Sequence, residues 1–469
     1  MSEIINSFPD FKGAFGDKRL EKRAGQVLSS LTIGKSSSLR QISRDYAEQK
    51  SFYRLLNNES FSEEGIKKSI IARCSELCKD RHVLCIQDTT EFNLSGQQGR
   101  LKPGSGLGTT TKKDILGFML HSSLVIDAHQ HTALGYSYIK AWERKEGNLD
   151  RHQRGYKEQR IEEKESYKWL EAASQSKELL YLAHSVTVVA DRESDIYDLL
   201  SLKGDKLYLV IRSNADRQLA PGGKLSSYLG GLPCMHHYDL PIQGDIRTGK
   251  QKRLAAMGLK WAHVQLRKPY SCNNKELPET LELYVVETKE LVAGKGIHWR
   301  ILTTHPVESA EQALQIVSWY KQRWNIEQIH RLLKTDGFAI ERSQLEQGWA
   351  IRKLTLLAMM GALRILQMMF AYKSEQEQDI GEVFEHSEQQ CLIELNTNME
   401  GQTEKLKNPH KPATVKWATW IIARLGGWKG YQSERKPGPI VLQKGLAKFY
   451  VIYQGWQLFQ NSLKNVYTQ

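Results

Sequence analysis

Between residues 82 and 213 the chain changes its hydrophobic period in a set order, and that order restricts the available folds more than any other stretch. HVLCIQD (82–88) is a short apolar run with the composition of a buried strand. FMLHSSLVID (118–127) and ALGYSYIKAW (133–142) read as two further strands across the short turn AHQHT, whose His129 and His131 are expected to be exposed. The block 143–178 is highly charged and helical, ending in the amphipathic ESYKWLEAASQSKELL. SVTVVAD (185–191) is a second buried strand, DIYDLLSLKG (195–204) opens a helix, and KLYLVIRS (206–213) is one more strand, containing Arg212 near its end. Three antiparallel strands followed by alternating α and β predict a mixed α/β sheet with helices on both faces. Both buried runs end in a carboxylate, Asp88 and Asp191, where open α/β sheets commonly hold their sites. Asp195 is positioned to cap the helix that follows, and Glu193 is a weaker rival to Asp191.

A third carboxylate, Glu327, lies in WYKQRWNIEQIHRLLKTDG (319–337), which reads as one helix because no Pro or Gly interrupts it before Gly337. At about 100° per residue, Tyr320, Arg323, Glu327 and Lys334 share a stripe roughly 60° wide, with Ile326, Ile329 and Leu333 gathered beside it. One flank can pack on a core while the other presents a carboxylate among an aromatic ring and two cations. On a lone helix such a face is more often a solvated run of salt bridges. Two further acids at strand ends shift the balance toward a site.

At 469 residues the chain can bury a sizeable core and hold two or three domains. Residues 1–72 are expected to form a helical N-terminal domain, whose Arg19, Arg23, Lys50 and Arg54 suit either DNA binding or a plain helical cap. Residues 73–372 form the central domain. Within it, about 214–297 break the α/β rhythm with turn residues between short alternating segments, which predicts a β-rich insertion. WRILTT (299–304) returns to a core strand, and the apolar 349–372 reads as a buried helix rather than a membrane span, because it carries three cations. Residues 373–469 read as a helical C-terminal domain.

The net charge of +13 is concentrated in two places. Residues 247–268 carry seven basic groups and no acid, including Lys250, Lys252 and Arg253, interleaved with Trp261 and His263. Residues 403–448 carry ten Lys or Arg against Glu404 and Glu434. Such clusters can simply confer solubility, but two of them with aromatics favour a nucleic-acid surface. The six cysteines form no CxxC pair and suit a reducing, cytoplasmic setting; MSEIINSFPDF is not a signal peptide, and no membrane partner is expected.

In a ribonuclease H-like arrangement the first and fourth strands of a mixed five-stranded sheet lie side by side, which would bring Asp88 and Asp191 together, with Glu327 reaching them from its helix. Three converging carboxylates repel one another and are tolerable mainly when divalent cations neutralise them. Oxygen-only ligands select Mg²⁺ or Mn²⁺, and two such ions suit phosphodiester chemistry.

The three acids, the spacing Tyr320-x2-Arg323-x3-Glu327-x6-Lys334, and the segments VADRESDIY and DTT resemble the DDE transposases of the insertion-sequence-four family. The resemblance covers about residues 80–340. It implies a ribonuclease H-like catalytic core, and a homodimer that binds terminal inverted repeats and pairs two ends. Each end is nicked, closed into a hairpin, reopened and joined to target DNA, with two Mg²⁺ ions held by Asp88, Asp191 and Glu327. It further implies that Tyr320, Arg323 and Lys334 contact DNA phosphates, that Trp299 stacks on a flipped base, and that Arg212 joins the phosphate network. End recognition would fall mainly to the N-terminal domain and dimerisation to the C-terminal one, in a cytoplasmic, nucleoid-associated protein. Two other readings stand beside it: a metal-dependent endonuclease or resolvase without strand transfer, and a non-catalytic repressor of transposition. A repressor would need no set of three acids.

Overall fold

A computed structural model describes residues 11–467 apart from 35, 112–114, 145–158, 203, 243, 245–250, 293, 295, 405–406 and 432–433. Its centre is β1 (His82–Asn93), which pairs antiparallel with β3 (Leu116–Asp127) on one side and parallel with β5 (Ser185–Ala190) on the other. β3 carries the short β2 (Gly108–Thr109) and β4 (Ala133–Trp142) on its outer side, and β6 (Leu207–Arg212) continues the parallel run from β5. These six strands, β2 being only two residues long, form the mixed parallel and antiparallel sheet that the order of periods predicts. The sheet does not stop there. β10 (His298–Thr303) pairs antiparallel with β6, followed in space by β9 (Thr280–Glu290), β8 (Arg253–Arg267) and β7 (His236–Ile242). The β-rich insertion is therefore a lateral extension of the same sheet, giving ten hydrogen-bonded strands among the described residues.

Alternate residues of these strands feed two cores, as the period of two in a strand requires. On β1, Val83 and Cys85 join Trp169, Leu180 and Tyr197 on the face covered by α5 (Tyr167–Leu179). Leu84 and Ile86 join Ile326, Ile329 and Ile351 on the other face, covered by α8 (Ala310–Lys321), α9 (Trp324–Arg331) and α10 (Gly348–Lys373). This second core also includes Val27 and Phe52 from the N-terminal helices and Ile422 and Phe449 from the C-terminal ones. Its axis is α10, apolar on nearly all sides and buried along most of its length, as expected of a core helix.

The helix expected over 319–337 is broken. α8 ends at Lys321, and the chain passes Gln322 and Arg323 with i→i+3 bonds from Gln322 to Trp319 and from Arg323 to Tyr320 before α9 begins. Leu332–Asp336 then form a π turn. Gly337 ends the run as expected: a β-carbon there would lie 2.7 Å from the Leu332 carbonyl oxygen, whose partner is the Phe338 amide at 2.8 Å. The constant 100° step thus fails twice within this segment, because both 3₁₀ and π turns change the residues per turn.

Two smaller expectations also change. Asp88 is not the last residue of its strand, since β1 runs on to Asn93. Asp195 caps no helix. The residue preceding α6 (Tyr197–Leu200) is Ile196, and the Asp195 carboxylate instead pairs with buried Arg217 and accepts from the Asn214 and Ala215 amides at 2.7 and 2.9 Å.

Candidate active site

The register of the sheet brings the first two acids together. Ile86 pairs with Val189 in the parallel β1–β5 ladder, so two residues further along each chain stand Asp88 and Asp191, on adjacent strands about 4.8 Å apart. Both share the face of Leu84, Ile86 and Val189, which is the face covered by α9. The same alternation puts Arg212 of β6 in phase with Val210, and Trp299 of β10 in phase with Ile301, on that face.

From α9, Glu327 and Arg323 reach the acids. Arg323 is buried; its Nη2 donates to Glu327 Oε1 at 2.6 Å and its Nη1 lies 3.9 Å from Asp88 Oδ2. His330 Nδ1 lies 3.8 Å from the same oxygen. Asp88 Oδ1 accepts the Thr89 amide at 2.9 Å, and Asp191 Oδ1 accepts the Glu193 amide at 2.9 Å.

The electrostatics follow from this crowding. Burial, together with the neighbouring charges of Asp191 and Glu327, pushes the Asp88 carboxyl up to about 7, against the opposing pull of Arg323 and the Thr89 amide. Burial and the nearby cations Lys334 and Arg323 hold His330 down to about 3, so its imidazole is neutral. Burial also lowers Lys334, whose Nζ sits 5.6 Å from the centre of the Phe92 ring. A desolvated carboxylate facing two others is a site short of positive charge, and the all-oxygen donor set fits a hard divalent cation. Among the described residues, no three His, Cys, Asp or Glu side chains are arranged to hold a metal ion. The Arg323 guanidinium instead stands between Asp88 and Glu327.

Asp88, Asp191, Glu327 and Arg323 come together, with Lys334 in the π turn beyond them. Tyr320 is buried, 2 % exposed, with its ring edge-on to Trp299 at a centroid distance of 5.4 Å. Trp299 is half-buried between Tyr320 and the strands of the extension. Arg212 Nη2 donates to the His298 carbonyl at 3.1 Å, one residue before Trp299.

The cations expected on the extension divide. Lys250 lies outside the described residues. Arg253 is bound by Glu290, and Lys260, Arg267 and Lys268 donate to backbone carbonyls, whereas Lys252 is exposed and makes no such contact among the described residues. Residues absent from the expected set also border the site. His330 stands three positions after Glu327, on its helical face, a spacing that could have revealed it. Trp324, 52 % exposed, has the Arg323 guanidinium 5.0 Å from its ring centre.

Comparison with known families agrees with this geometry. Residues 11–61 match the family model described as transposase DNA-binding. Residues 130–363 match the family model described as transposase DDE domain. The second match contains Asp191 and Glu327 and begins after β1, so the place of Asp88 rests on the register of the sheet.

Proposed function

We propose that this chain, which carries a transposase DNA-binding domain and a transposase DDE domain, is a cut-and-paste DNA transposase of the insertion-sequence-four kind. It binds terminal inverted repeats, cleaves them with divalent metal and joins the freed ends to target DNA. The observation that carries this reading is the pairing register that aligns Asp88 with Asp191 on neighbouring parallel strands beneath Glu327.

Asp88, Asp191 and Glu327 would hold Mg²⁺ or Mn²⁺, two ions per site. When bound, these supply Lewis acidity to the attacking and leaving oxygens of a phosphodiester. The chain's own residues do the rest. Arg323 releases Glu327 and turns its fork toward a phosphate, for which a guanidinium is well shaped. Lys334 offers a second charge from the π turn, and Arg212 a third from β6. Tyr320 braces Trp299, whose exposed part stacks on a base leaving the duplex when the cut end closes into a hairpin.

In the nicking step, water adds to the scissile phosphorus and the 3′ oxygen leaves, taking up a proton. In the hairpin step that 3′ hydroxyl attacks the opposite strand and expels a second 3′ hydroxyl, so bonds formed and broken balance. Water reopens the hairpin, and the element's 3′ end then attacks target DNA.

The helices of residues 11–61 are the end-reading module, supported by exposed Arg19 and by Lys50 lying 4.7 Å from the centre of the exposed Tyr46 ring. The C-terminal helix α13 (Pro439–Tyr467) is the dimerisation element. In its support, it leaves Leu458 71 % and Phe459 60 % exposed on one monomer. The decisive experiment incubates the protein with DNA carrying the inverted repeats that flank its coding region, a target plasmid and Mg²⁺. Joined products are expected. Cleavage without joining would make it an endonuclease, and binding without cleavage a repressor.

A further inference from the structure

The cations discussed so far approach the carboxylates from the α9 side of the sheet or from the strand ends. We infer that Lys168, on the opposite face, is a further phosphate-contacting residue, gripping the DNA backbone next to the scissile bond. This rests on the transposase reading and adds to it a second wall of the substrate channel.

Lys168 stands in the first turn of α5. That helix leads into β5 and packs against it, so its N-terminus lies at the carboxyl end of β5, the end that carries Asp191. It is also tied to β1 beside Asp88: with the Gln87 amide in its better-satisfied orientation, Gln87 donates to the Trp169 carbonyl and accepts from the Ala173 amide, both at 3.2 Å. The Lys168 ammonium therefore sits among the charges of the site, within electrostatic reach of Asp88 and Glu193.

A lysine here is a costly choice unless something anionic comes to it. The residue is 8 % exposed, and its Nζ lies 5.4 and 5.7 Å from the ring centres of Trp142 and Trp169. Its nearest carboxylate oxygen is Glu165 Oε1 at 3.9 Å, and Glu165 is already engaged by Arg144 at 2.8 and 2.9 Å. Among the described residues no acceptor lies within hydrogen-bond distance of Nζ. A cation in the first turn also opposes the helix dipole, and α5 has no acid there. The first amides of α5 are already bonded to the carbonyls of Lys164, Glu165 and Ser166, so what the site offers is a buried ammonium with one long, shared ion pair and no hydrogen-bond acceptor, which a phosphate oxygen would supply. A groove of about 990 Å³ opens at the start of α5, bordered by Lys164, Ser166 and Glu193 but not by Lys168 itself, and runs out past Arg217 toward the fully exposed Tyr270, so the long side chain has to swing from beneath the indoles to meet a strand lying there. The indole rings deprive the ammonium of water, which strengthens its pull on a charge arriving in the channel.

The test compares wild type, Lys168→Met and Lys168→Arg on a duplex carrying the inverted-repeat end, unmodified or with a single neutral methylphosphonate at each phosphate around the cut. Methionine fills the volume without charge, so the variant is expected to keep its melting temperature and its affinity for the end. Nicking by Lys168→Met should fall on the order of 100-fold, the usual effect of losing one well-placed electrostatic contact, with partial recovery in Lys168→Arg. At one phosphate the methylphosphonate should slow wild type strongly and Lys168→Met no further. Undiminished nicking by Lys168→Met, or equal slowing of both proteins at every modified phosphate, overturns the contact. Loss of melting temperature and end binding together with nicking makes Lys168 a structural residue and also overturns it. If wild type itself leaves the unmodified end uncut, the transposase reading fails first and carries this inference with it.

Discussion

Replacing Asp88 by asparagine is expected to stabilise the metal-free protein while ending its cleavage activity. In the folded chain the Asp88 carboxyl is pushed from 3.8 up to about 7, by burial first and then by Asp191 and Glu327. Because the folded pKa lies above the unfolded one, folding favours the protonated acid. Its contribution to stability is fully present below about pH 4 and is lost as pH rises toward 7. Three pKa units correspond to roughly 4 kcal/mol, an upper figure for a side chain that is 18 % exposed. Asparagine keeps the shape and the acceptor for the Thr89 amide, and has no charge to desolvate. In EDTA the variant and wild type should melt together near pH 4 and separate progressively up to pH 8. With about 2–4 °C per kcal/mol for proteins of 150–250 residues and less for a longer chain, the final gap should be on the order of 5 °C. Mn²⁺ at pH 8 should raise wild type and leave Asp88→Asn unmoved, because a ligand stabilises only the state that binds it. A variant equal to wild type at pH 8, or less stable by the same margin at every pH, would refute the view of Asp88 as a carboxylate held under electrostatic stress.

Asp191→Ala and Glu327→Ala should each abolish metal-dependent cleavage in a gel assay while leaving end binding intact, since the basic surfaces are untouched. Near-normal cutting by Asp191→Ala would transfer its role to Glu193. Trp299→Ala should still nick but accumulate nicked DNA with little hairpin, because stacking is worth about 1–3 kcal/mol per base; equal loss of both products with a lowered melting temperature would make Trp299 a packing residue. Lys252→Glu should weaken DNA binding and flatten its dependence on salt, as fewer counterions are released. An unchanged slope in a filter-binding titration would put that end of β8 away from DNA.

The strand that carries Asp88 and the one that leads to Asp191 were readable because a period of two and an apolar composition survive in any neighbourhood. HVLCIQD and SVTVVAD needed only the expectation that they lie side by side, which the β1–β5 ladder meets. What was not readable depended on partners distant in sequence or on turns that leave no mark. Gln322 and Arg323 keep right-handed helical dihedrals and are neither Gly nor Pro, so the break between α8 and α9 has no signal in composition. The residue that claims Asp195 is Arg217, beyond a strand and a turn, while the local rule for helix caps pointed elsewhere. The strands of the extension were visible as strands, but their pairing onto β6 through β10 is a long-range choice. Lys168 looked like any cation on an amphipathic helix, since its lack of a close acceptor comes from Arg144 having taken the shorter bonds to Glu165.

The unbroken ladder from β5 to β7 has a geometric consequence. Each step between neighbouring strands turns the sheet by about 20–25°, and five steps separate β5 from β7 along the path β6, β10, β9 and β8. The outermost strand is therefore turned by roughly 100–125° from the strand that ends at Asp191. A surface that begins as a floor beneath the carboxylates becomes an upright wall beside them, with no hinge between the two. Whatever lies against that wall is held in a fixed attitude to the acids by backbone hydrogen bonds alone, and a loop-tethered domain could offer no such constancy of angle.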